Sequence, residues 1–233
     1  MKNPLGYYST QFNSIELNAT FYRLFPPAIF KKWYETVPAD FRFFPKLEQS
    51  ISHLRRLKDV RELVEHNVVN MLHLREKLGM TFLQLRDTFG PNEFDRVAAF
   101  IENWTYEVPL AIEFRHKNWF NDAAVSTKLY DLLETHDITN VLVDTAGRRD
   151  LMHMRLTTST AFVRWVGANE PRSDRARLDD WVVRIAKWKT AGVKKVLFFV
   201  HQNQELESPA LAAYLIERLN KKIGTNLLIP KTL

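Results

Sequence analysis

A chain of 233 residues, 45% hydrophobic and 26% charged, is long enough to bury one large α/β core, and no Pro/Gly/Ser-rich linker divides it, so a single domain over residues 1–233 is expected. The absence of cysteine excludes disulfides, thiolate metal sites and a cysteine nucleophile. A formal charge of +6 favours encounters with anions, although Lys and Arg are interspersed with Asp and Glu as on an ordinary solvated surface. No uncharged run approaches the roughly 20 residues of a membrane helix, and no apolar segment follows Met1-Lys2-Asn3-Pro4, so a basic, cytoplasmic protein without membrane contact is expected.

In chain order, residues 5–12 read as the tail of a helix, and residues 13–20 alternate apolar with polar as a strand does, with Glu16 and Asn18 on one side. Pro26-Pro27 opens a helix with Phe30, Trp33, Tyr34 and Val37 as its apolar stripe, and residues 41–46 form the next strand, ending in Lys46. A loop rich in Ser, His and Arg precedes a long helical pattern over about residues 59–78, with Gly79 placed to end it in the left-handed conformation. A strand over residues 81–85 carries Gln84, and Phe94, Val97, Phe100, Ile101 and Trp104 mark a helix.

Residues 109–116 then put a carboxylate, a guanidinium and an imidazole (Glu113, Arg115, His116) at the end of an otherwise apolar strand. Alternation sets Ala111, Glu113 and Arg115 on one side and Leu110, Ile112 and Phe114 on the other. Val125, Leu129, Leu132 and Leu133 mark the following helix, and the strand over residues 141–144 ends in Asp144. Residues 161–164 end in Arg164, a helix spans about residues 175–191 before Gly192, residues 195–201 form the last strand, and Ser208-Pro209 starts a final helix to about residue 221.

Seven mostly apolar strands alternating with helices argue for a parallel sheet covered by helices. Polar residues close nearly every strand, which a (β/α) barrel explains better than an open sheet, whose ligand crevice uses only the strands at one switch point. A TIM-barrel-like fold lacking its first strand is therefore expected, since the sequence opens inside what reads as the first helix. Unpaired edges beside such a gap would invite self-association.

If the strand ends share one mouth, it holds Glu16, Asn18, Lys46, Gln84, Glu113, Arg115, Asp144, Arg164 and either His201 or Gln202, three acids against three bases. Glu113 is the first candidate for a general acid/base, with Glu16 or Asp144 as its partner and His201 beside them. Asn18, Lys46, Gln84, Arg115, His116 and Arg164 are candidate substrate-binding groups, the cations as anion holders. A self-satisfying ion-pair network that only fixes the structure is the competing account. Glu16, Glu113, Asp144 and His201 would be a set of hard or borderline metal ligands, but no local ligand spacing supports them, so no cofactor is predicted.

Walker, dinucleotide and nucleophile-elbow motifs are absent from the sequence. Basic loop segments at residues 50–58, 148–149 and 172–177, with Trp119 and Trp165 near them, suit an anionic small molecule as partner, or alternatively nucleic acid. The small molecule is favoured because strand-end acids repel a phosphate backbone.

Segments at residues 12–22, 41–46 with Ile51-Ser52-His53, 82–85, 113–116 with Trp119-Phe120, 143–145 and 162–164 together resemble the YecE-like proteins, domain of unknown function 72. That resemblance implies a TIM-barrel-like fold and supplies no reaction, so hydrolase, lyase and isomerase chemistry all stay open, as does a barrel that has lost catalysis. Three departures stand out. The usual Ser-Gly-Trp-like opening strand has no counterpart, an Arg-x-His-Gly pattern reads Arg164-Trp165-Val166-Gly167, and an Asn-Asn pair is replaced by His201-Gln202-Asn203.

Overall fold

The computed structural model describes residues 3–202 and 205–231, which fall into two compact units, Met1–Val141 and Leu142–Leu233. Seven strands occur among the described residues, and Asn203 lies outside them. In the first unit β1 (Ser14–Leu17) pairs with β2 (Arg42–Pro45), β3 (Thr81–Gln84) with β4 (Leu110–Glu113), and β4 with the first residues of β5 (Thr139–Thr145), always in parallel. Parallel bridges from Phe43 to Leu78 and from Lys46 to Phe82 make the step from β2 to β3. Strand order that follows chain order without reversal is the winding of a (β/α) barrel rather than of a doubly wound sheet. The chain is thus an α/β protein with parallel strands, as its periodicity predicts.

Helices α1 (Pro4–Tyr8), α2 (Ala19–Tyr22), α3 (Pro27–Thr36), α4 (Arg61–Met71), α5 (Phe94–Glu102), α6 (Asn118–Asn121) and α7 (Ala123–Thr135) separate these strands. Leu83, Leu110, Ile112 and Phe114 are buried in one apolar cluster with Phe30 of α3, Val64 and Val68 of α4, Val97 and Ile101 of α5, and Leu129 and Leu133 of α7. Because strand side chains alternate, Phe82 and Gln84, Ala111 and Glu113 must then face away from the helices. That one choice of face decides where the polar strand ends go.

The second unit contains the rest of β5, β6 (Thr160–Val166), α8 (Pro171–Thr190), β7 (Lys195–His201) and α9 (Ser208–Ile223). Strands β6 and β7 pair in parallel from Thr160↔Lys195 to Val166↔His201, and the Ala146 N–H bonds the Val166 carbonyl at 3.2 Å. Leu142, Ala161, Val163 and Trp165 pack on Leu178, Trp181, Val182, Ile185 and Trp188 of α8 and on Leu211, Leu215 and Leu219 of α9. Among the described residues no helix is long and apolar enough to cross a membrane.

Three local expectations are corrected. The first strand ends at Leu17 and the chain turns into α2, because Thr20 Oγ1 lies 2.7 Å from both the Leu17 and the Lys46 carbonyls and accepts the Lys46 N–H at 3.0 Å. Local hydroxyl-to-backbone bonding competes here with strand extension. Helix α8 begins at Pro171, earlier than the apolar stripe shows, since the Glu170 carboxylate caps it by accepting the Arg172 and Ser173 N–H groups. The helical pattern over residues 59–78 breaks into α4 and a 3-10 segment, Leu72–Lys77, and it is Arg75, at φ 49°, that takes the left-handed conformation.

Gly79 is needed for a different reason than a left-handed cap. A Cβ there would sit 2.7 Å from Cζ of Phe44, whose ring is itself buried. Gly79→Ala should therefore cost about 1–3 kcal/mol through overpacking. A lowered denaturant midpoint with an unchanged slope is the expected readout, and an unchanged midpoint would contradict this account.

Candidate functional site

Lys46, Gln84 and Glu113 stand at or just beyond the carboxyl ends of three consecutive parallel strands, and strand register brings them together. Lys46 pairs with Phe82, and Gln84, two residues on, returns to the same face beside its register partner Glu113. The result is a continuous chain of hydrogen bonds. Lys46 Nζ donates to Gln84 Oε1 at 2.8 Å, and Gln84 Nε2 donates to both carboxylate oxygens of Glu113 at 2.9 Å. Arg115 adds its guanidinium 3.6 Å from Glu113 Oε1.

Burial grades across this row. Glu113 is 1% exposed, Lys46 6% and Gln84 7%, whereas the Arg115 side chain is 38% exposed. A carboxylate as enclosed as Glu113 requires compensation, which Gln84 and Arg115 supply. Lys46 is also held by an aromatic face, its Nζ 3.9 Å from the Phe21 ring centroid. Glu16 is buried on β1, Asn18 is half-buried at the start of α2 without a side-chain capping bond, and His116 accepts the Asn118 N–H on Nδ1 at 3.2 Å.

His53 is the residue that sequence reasoning missed as a site group. It lies in a single π-helical turn, Ser50–Leu54, after β2, with its ring edge-on to Phe21 at 4.9 Å and its Nδ1 2.8 Å from Ser52 Oγ. Burial, and then the charges of Lys46, Arg86 and Arg115 against the opposing Asp87, lower its pKa from 6.5 to about 4. Its imidazole is thus neutral at physiological pH. Because the unfolded chain binds this proton more readily, stability falls as pH drops from about 6.5 through about 4. The contact with Phe21, far away in sequence, gives His53 its setting; in the sequence it stands out only through the Ile51-Ser52-His53 segment of the family resemblance, which assigns it no role.

In the second unit Asp144 shares a strand face with Leu142, toward α8. Its Oδ1 accepts Arg177 Nη2 at 2.7 Å and pairs with Arg149, and its Oδ2 accepts Trp181 Nε1 at 2.7 Å. A cleft of about 300 Å³ opens beside this network, with Met152, Met154, Arg184 and Lys187 among its walls. Gln202 is buried and bonds Asp174 at 2.9 Å, while Arg164 and His201 are half-buried in β6 and β7. Trp119 and Trp165 are completely buried and belong to the core, so neither is a stacking surface. Among the described residues no group of three or more His, Asp or Glu side chains is arranged to hold a metal ion.

A family model described as "Protein of unknown function DUF72" matches residues 1–232. UPF0759 protein YecE of Escherichia coli (strain K12) is 28% identical over 245 residues, covering 96% of this chain and 89% of that protein. UPF0759 protein YunF of Bacillus subtilis (strain 168) is 27% identical over 129 residues, covering 52% of this chain and 45% of that protein.

Two crystal structures of DUF72 family proteins share the fold. EF0366 from Enterococcus faecalis V583 superposes with a TM-score of 0.79 at 18% identity, covering 97% of this chain and 95% of that one. TM1631 from Thermotoga maritima MSB8 does so with a TM-score of 0.66 at 24% identity, covering 92% and 85%.

Proposed function

The chain belongs to the DUF72 family of proteins of unknown function, and from the side chains its fold gathers we propose an enzyme that performs acid/base chemistry on a phosphorylated or other anionic small molecule. The observation that carries this reading is the buried row Lys46–Gln84–Glu113 with Arg115 beside it, at the carboxyl ends of consecutive parallel strands. Apolar layers alone would fill such a strand interior, so a hydrogen-bonded carboxylate and amine there call for a purpose.

Glu113 is the proton-transfer group in this reading, with Glu16, buried on β1, as a candidate partner. Lys46, Arg115 and the more exposed Arg86 hold the anion. Glu113 is shielded from bulk water, so a ligand charge arriving nearby acts on it with little screening.

A panel of sugar phosphates, nucleotides and dicarboxylates at constant ionic strength tests the reading. At least one compound should raise the melting temperature, by the equivalent of about 2.7 kcal/mol at a hundredfold excess over its Kd. Lys46→Gln should lose most of that gain. If no compound stabilises the parent, or if the variant responds just as the parent does, the reading fails.

A further inference from the structure

We propose a second ligand site, independent of the acid/base reading, in the cleft of the second unit. It takes a small amphiphilic carboxylate, whose apolar body lies against Met152, Met154 and Val183 and whose charge is held by Arg184 and Lys187 of α8 and by Arg149 of the connection before β6.

The cleft has a cause in the topology. α-Helices follow β4, β6 and β7, whereas among the described residues β5 and β6 are joined only by a 3-10 turn, Arg149–Leu151, and a loop. The flank of α8 that a further helix would cover is left to that loop. Met152 of the loop is 38% exposed and Val183 of the helix 47%, both in the walls of an opening of about 300 Å³. That volume falls at the lower end of small-molecule sites and below one turn of helix, roughly 400 Å³ for a cylinder about 10 Å across, so a small molecule fits where a docked helix does not.

The charged groups in its walls are Asp144, Arg149, Arg177, Asp180, Arg184 and Lys187. Asp144 is engaged by Arg177, Arg149 and the Trp181 indole. Arg184 and Lys187, three residues apart on one face of α8, have no side-chain hydrogen bond or ion pair among the described residues. Asp180 opposes an anion, but along the helix axis it stands about 6 Å from Arg184 and about 10 Å from Lys187, so the cationic end of the cleft lies away from it. Arg149 is half exposed, and because Arg177 and Trp181 keep both Asp144 oxygens bonded, it can turn to an incoming carboxylate without leaving Asp144 bare. A planar carboxylate matches the guanidinium fork of either arginine, and the two thioether side chains adapt to the shape of an apolar body.

Methionine methyl NMR on the intact protein tests this, with 2-naphthoate as the probe. The chain has five methionines, and the Met152 and Met154 signals are identified by their loss in Met152→Leu and Met154→Leu. Naphthoate should shift those two and leave the other methionine methyls in place, saturating with a Kd of about 1 mM or tighter. Combining Arg184→Gln with Lys187→Gln should weaken binding at least about fivefold, and so should replacing the probe by neutral 2-naphthamide. Lys46→Gln should change nothing, since that side chain belongs to the first unit.

Equal binding of the amide, or by the double variant, overturns the proposal. So does a naphthoate response that spares Met152 and Met154 or that vanishes in Lys46→Gln. If the two signals instead move with protein concentration alone, a second copy of the chain occupies the cleft and the proposal falls. None of these results touches the proposed function, whose compound panel reads out through Lys46.

Discussion

Asp144→Asn should lower the unfolding free energy by about 3–5 kcal/mol, the penalty for removing one partner of a buried ion pair. Asp144 is 2% exposed and both its oxygens are engaged, by Arg177 and Arg149 on one side and by the Trp181 indole on the other. Asparagine keeps the shape and can still accept the indole N–H. Its amide then points a donor at the Arg177 guanidinium, which is itself confined by the Trp165 ring 4.6 Å away and keeps Asp174, 3.4 Å from Nη1, as a carboxylate partner.

Arg149 is half exposed and can turn to water, so the cost concentrates on Arg177. Urea denaturation should show a reduced midpoint with little change of slope. Combining Asp144→Asn with Arg177→Met should recover part of the loss, since it removes the uncompensated charge. Parent-like stability in the single variant would show that Asp144 is not held by this network and return it to consideration as a site group.

Periodicity is strong where one force dominates. Strands β2, β3, β4 and β7 are apolar runs bounded by polar residues, and α3, α5, α7 and α8 carry apolar stripes at helical spacing, because each buries one face against the apolar cluster of its own unit. Alternation likewise sets Glu113 opposite Ile112 and Phe114, and the register of Gln84 against Glu113 follows once β3 and β4 are neighbours.

Legibility stops where side chains bond to backbone or to distant residues. Thr20 turns a strand pattern into a helix through carbonyls 3 and 26 residues away. Glu170 caps α8 before any apolar residue announces it. Asp144 ends an apolar strand just as Glu113 does, yet a tryptophan and two arginines claim its oxygens in the second unit, while Glu113 is bonded by a glutamine in the first. Strand-end position alone does not separate these two carboxylates; their donors do.

Glu113→Gln is expected to split stability from activity. The isostere keeps the packing, and of the two nearby cations Arg115 is 38% exposed, stands 3.6 Å away and can hydrate freely, while Lys46 keeps its bond to Gln84 and its place over Phe21. The loss of stability should stay within about 1–2 kcal/mol, below the cost at Asp144, because no fully enclosed cation is left alone. Glutamine offers no exchangeable carboxyl proton, so turnover of whichever anionic compound the panel identifies should fall by about 10²–10⁴-fold, with affinity changed far less. Melting curves and steady-state kinetics on the same samples give both numbers. If instead stability drops by about 3–5 kcal/mol and the ligand profile is unchanged, the row from Lys46 to Arg115 is an internal brace for the parallel strands. The acid/base role then passes away from Glu113, and His53 becomes the next titratable group to test beside the same cations.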